Sequence, residues 1–100
     1  MEKPYSSEKL KYLFRFVGIS YEDVGKMLSY SRGMVGTIFY QIDNELCTEE
    51  RSFRIRLLMT YMIQDYIRSK FGDLELLRIL RETDHHLEMK AKESKHEETV

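Results

Sequence analysis

One hundred residues with 42% hydrophobic side chains suffice for one domain around one core and leave no room for a second independent one. A single proline and five glycines are too few turn residues for a many-stranded β protein, so the expectation is an all-α fold. The net charge of −1 argues against a strongly basic nucleic-acid binder, but it hides an asymmetry: residues 1–72 carry 11 Lys and Arg against 9 Asp and Glu, whereas residues 73–100 carry 5 against 8.

Ser6 or Ser7 is placed to cap a first helix in which Leu10, Leu13, Phe14 and Val17 recur at helical spacing, and Gly18 supplies its stop. Ser20 begins a second helix, with Asp23 three residues on where a carboxylate reaches back in a capping box. Val24, Met27 and Leu28 form its expected buried face. SYSRG then reads as a tight connection, with Ser31 capping a third helix from about Arg32 to Tyr40. Met34, Val35, Ile38 and Phe39 are expected to point inward there, leaving Arg32, Gly33, Gly36, Thr37 and Tyr40 largely outside.

QIDNELCT, residues 41–48, reads as a loop ending in Thr48, the expected cap of a fourth helix that runs to Phe71 and stops at Gly72. Its apolar residues do not fit one stripe, so it must be covered on more than one side and is expected to be the hub of the core. Asp73 can cap a fifth helix with Leu76, Leu80, Thr83 and Leu87 in one line, flanked by Leu77 and Ile79. The division expected is a core over 1–72, a helix over 73–90 for core closure or dimerisation, and a charged, disordered tail over 91–100.

Residues 21–40 resemble the twenty-residue helix-turn-helix pattern of the phage repressor and Cro-like family. Gly25 stands at the small fifth position and Ser29 at the turn, where the family most often has glycine. Val24, Leu28, Val35 and Ile38 occupy the four buried aliphatic positions. The resemblance implies a sequence-specific, repressor-like transcriptional regulator from a phage or mobile element, whose third helix enters the major groove of double-stranded DNA. By the same resemblance Ser31, Arg32, Gly33, Thr37 and Tyr40 read or approach bases, with Arg32 set for a guanine, while Lys26, Arg51 and Arg54 hold phosphates. The family usually follows its recognition helix with two short helices, whereas this chain has one long one.

Gly33 and Gly36 have two readings, close approach to a DNA backbone or close packing against another helix. A homodimer is expected through Leu76, Ile79, Leu80 and Leu87, which would present two recognition helices to a palindromic site. The rival is a module of the same fold that binds a protein, as an antirepressor or an inhibitor of a host factor. A third possibility, a viral packaging or replication component, predicts a ring.

Other motifs carry less. GMVG matches the GxxG loop of RNA-binding KH domains, but the strands of that fold are missing from the pattern. His85 and His86 point about 100° apart on a helix, so with Glu82 and Glu88 they do not make a metal site. Neither a nucleophile with its base nor a phosphate loop with its lysine is present, and we expect neither an enzyme nor a cofactor. No apolar run reaches the length of a membrane span, and MEKPYSSEKLKY is charged where a signal peptide would be apolar. A cytoplasmic protein without a membrane partner is therefore expected. The lone Cys47, which has no partner for an internal disulfide, fits a reducing compartment.

Overall fold

The computed structural model describes residues 3–31 and 33–98. It is all-helical, with five helices in a small bundle: α1 Ser7–Val17, α2 Tyr21–Leu28, α3 Met34–Asp43, α4 Glu49–Phe71 and α5 Asp73–Glu98. No strand occurs among the described residues.

Local chemistry sets most of these limits. Ser6 caps α1 by accepting from the Lys9 N–H. At its other end Gly18, in the left-handed region at φ 77°, closes a Schellman turn in which Ile19 N–H donates to Phe14 O over 2.8 Å. The Ser20–Asp23 capping box is complete at the start of α2, and Thr48 caps α4 through the Arg51 N–H. Gly72, at φ 93°, lets α5 fold back along α4.

The core lies where α1, α4 and α5 meet and extends through α1 to α3. Leu10, Leu13 and Phe14 of α1 join Met59, Ile63 and Ile67 of α4 and Leu76 and Ile79 of α5, with Val24, Val35, Ile38 and Phe39 closing the α2–α3 side. Among the described residues Thr60 and Thr83 are the buried polar ones, and each hydroxyl donates to the carbonyl four residues back, over 2.7 Å in both cases. Thr60 also accepts the Tyr5 N–H, which ties the N-terminal segment across α4.

Several boundaries and faces differ from the sequence reading. α3 starts at Met34 and ends at Asp43, so only residues 44–48 form the following loop. Ser31 does not cap it: Gly33 is the N-cap without a side-chain bond, and Ser31 offers only its backbone carbonyl to the Met34 N–H. The turn after α2 uses residues up to Gly33, and the inward stripe is therefore Val35, Ile38, Phe39 and Ile42. Met34 turns outward at 44% exposure, and Met27, expected inside α2, is likewise half exposed. Asp73 is the first residue of α5 and accepts from Arg68 Nε over 2.9 Å.

α5 runs past residue 90 to Glu98, through much of the stretch expected to be a disordered tail. Its charges there stand at helical spacing, as in the Lys92–Glu88 pair at 4.0 Å. Residues 99 and 100 of that tail lie outside the described residues.

Candidate nucleic-acid interface

α2 and α3 touch at Gly25. A Cβ on Gly25 would stand 3.1 Å from the carbonyl oxygen of Tyr30, 3.5 Å from that of Ser31 and 3.6 Å from Val35 Cγ2. The turn between the helices is another Schellman motif, with Ser29 left-handed at φ 58° and Tyr30 N–H donating to Gly25 O over 2.7 Å. Tyr21, opening α2, leans its ring on Phe39 with centroids 5.5 Å apart and covers one side of Gly36.

This arrangement anchors α3 by one face and leaves the other open. Ser31, Gly33, Thr37 and Tyr40 are all exposed, as expected, and Gly36 is half-buried. Thr37 donates its hydroxyl to its own helix, to Gly33 O at 3.0 Å. Arg32 lies outside the described residues. Neither glycine is needed for packing within the chain: a Cβ on Gly33 meets nothing within 4 Å, and one on Gly36 would only touch the Tyr21 ring at ordinary contact distance.

The three phosphate candidates divide. Arg51 and Arg54, on the first two turns of α4, line a shallow hollow of about 400 Å³ together with Tyr30, Met34 and Ile38, so the structure brings them to the beginning of α3. Arg54 is held by Glu50 at 2.8 Å, whereas Arg51 has no carboxylate partner among the described residues. Lys26 sits on the exposed side of α2 near Glu22, at 3.9 Å. Glu22 and Glu50 offset part of this positive charge, but both pairs are solvent-exposed and weak.

The apolar line of α5 expected to dimerise turns largely inward instead. Leu76 and Ile79 are buried in the chain's own core, and Leu80 packs against it, because α5 closes over α4 with that face. Leu87 is half-buried beside α1. The large apolar side chains that α4 and α5 leave outside include Leu58, Tyr61, Leu74 and Leu77, with Phe53, Phe71 and Met89 also exposed.

The sequence reading missed Met34 as a surface residue and Asn44 as the end of α3, where its amide donates to Tyr40 O over 2.8 Å. Asn44 carries a helix-stop signal that could have been read; the orientation of Met34 depends on where α3 begins. Among the described residues no group of three or more His, Cys, Asp or Glu comes together as a metal site, and no helix is long and apolar enough to cross a membrane.

No protein-family model matches the chain. Neither a curated protein nor a solved structure matches it at a significant level.

Proposed function

We propose that this chain binds double-stranded DNA through a helix-turn-helix formed by α2 and α3, as a repressor-type transcriptional regulator. The observation that carries the reading is the convergence of Arg51 and Arg54 on the start of α3, whose outer face is free while its inner face is locked against α1 and α2. A helix held this way offers side chains to base edges in the major groove, and cations at its start meet the flanking phosphates. Ser31, Thr37 and Tyr40 face the bases with Arg32, and Gly33 and Gly36 let the backbone come close. Leu58, Tyr61, Leu74 and Leu77 favour a homodimer that presents two copies of α3 to a two-fold site.

The experiment is selection of binding sites from a random duplex pool, followed by mobility-shift titration across salt. Contacts from Lys26, Arg51 and Arg54 in both protomers of the dimer predict a slope of log affinity against log salt of about −5, which Arg51→Ala reduces by about 2. Arg32→Ala should relax sequence preference more than affinity. Absence of duplex binding at low salt sinks the reading.

The second reading, a protein-binding module, is favoured by the half-exposed Met27 and Met34 and by Tyr40, which is 62% exposed. Capture of a protein from lysate that survives nuclease treatment and high salt supports it over the first.

A further inference from the structure

A second hollow lies away from α3's open face, between α1 and α5 and against the end of α3. It holds about 710 Å³, within the size range of small-molecule sites. Its wall is aromatic: the rings of Phe16, Tyr12 and His86 run in sequence from α1 to α5, with Tyr12 stacked on His86 at 4.7 Å and 27° and near Phe16 at 6.1 Å and 24°. Phe16 is 49% exposed, a large apolar ring that the fold leaves uncovered at the mouth of the groove.

The charges around this wall are unequal. Lys11 is bound to Asp43, which also takes the Ser7 hydroxyl, and Lys90 stands 3.8 Å from Glu8. These two pairs leave Arg15, exposed and lining the groove next to Phe16, with no carboxylate among the described residues. A planar fork of donors without an acceptor, beside an aromatic surface without a cover, complements one kind of molecule.

We infer that the α1–α5 groove is a binding site for a small planar aromatic molecule bearing an anionic group, its ring laid against Phe16 and Tyr12 and its anion bound by Arg15. The site is independent of the nucleic-acid reading, since it uses neither α2 nor the outer face of α3.

The test is a titration of the full chain, without DNA, with naphthoate and separately with its neutral amide, followed by NMR of the Tyr12, Phe16 and His86 ring protons. Saturable shifts of those rings by naphthoate are expected, with the amide weaker by about tenfold or more, as loss of a charge-assisted bond implies. Arg15→Gln should weaken naphthoate to the level of the amide, and Phe16→Ala should weaken both probes. Both side chains are exposed, and circular dichroism melts establish that the variants keep the parent fold. No saturable shift, equal affinity for the two probes, or unchanged binding by Arg15→Gln would each overturn the inference.

Discussion

The carbonyl oxygen of Tyr30 stands 3.1 Å from the place a Gly25 Cβ would occupy, while the Tyr30 N–H is bound to the Gly25 carbonyl at 2.7 Å. The two residues hold each other so closely that a Cβ would push the Tyr30 carbonyl back by a few tenths of an ångström, and that closeness fixes how α3 leaves α2. Gly25→Ala should therefore lose about 1 kcal/mol despite the better helix propensity of alanine, and Gly25→Val should lose more than about 2 kcal/mol. Gly36→Ala should do the opposite and gain about 0.5–1 kcal/mol, because its Cβ finds ordinary contact. Urea denaturation of the three variants measures both signs. A stabilised Gly36→Ala that also loses duplex binding would assign that glycine to close approach of the DNA.

Among the described residues two non-glycine residues sit in the left-handed region, Ser29 at φ 58° and Glu45 at φ 56°. Each is the reversing residue of a Schellman turn, and Glu45 ends α3 with Leu46 N–H donating to Gln41 O over 2.8 Å. A Cβ in that conformation costs about 1–2 kcal/mol, part of which glycine returns as unfolded-chain entropy. Ser29→Gly and Glu45→Gly should thus each stabilise by up to about 1 kcal/mol, and add, since their turns lie at different helix ends. A fall in thermal midpoint for either would contradict this.

What could be read in advance was what depends on near neighbours in the chain. Gly18, the Ser20–Asp23 box and Thr48 act over three or four residues and lie where the pattern put them, and of the two serines open for the first cap Ser6 takes it. The beginning of α3 did not follow, because the turn built on a left-handed Ser29 continues through Tyr30 and Ser31 ahead of the Gly33 cap, and Tyr30 and Ser31 carry no strong signal against helix. Moving that start changes which way Met34 points. The α5 stripe was visible as apolar, but nothing local says that Leu76 and Ile79 are covered by α4 of the same chain rather than by a second copy. The Tyr12–His86 stack joins the first helix to the last, so no window along the sequence contains it.

The two buried threonines make a controlled comparison. Thr60 and Thr83 have the same bond to their own helix, but only Thr60 accepts the Tyr5 N–H, at 2.9 Å. Thr60→Val removes the acceptor of that buried-edge donor and should cost about 1–3 kcal/mol. Thr83→Val deletes only a bond within the helix, replaces the hydroxyl by a methyl group in an apolar site, and should change stability by less than about 0.5 kcal/mol. Equal losses in guanidinium melts would mean that the Tyr5 contact contributes nothing.

Acid should weaken the fold through three carboxylates held below their ordinary range. Hydrogen bonding from Ser20, by side chain and backbone, lowers Asp23. At Asp43 burial pushes upward, but the bonds from Lys11 and Ser7 outweigh it; at Glu75 the hydrogen bond from Arg78 lowers the carboxyl. A carboxylate whose folded pKa is depressed contributes stability that is whole above its unfolded value, about 4, and is lost as pH falls through the folded value. Stability should therefore be flat from neutral pH down to about pH 5 with respect to these groups and decline below about pH 4. Asp43→Asn removes one of the three, and since that residue joins α1 to the end of α3, it should lower stability at neutral pH while making the acid decline shallower. Thermal midpoints of the parent and Asp43→Asn, measured across the acid range, test both parts: parallel curves would show that Asp43 does not titrate with folding, and coincident curves that its bonds to Lys11 and Ser7 add no stability.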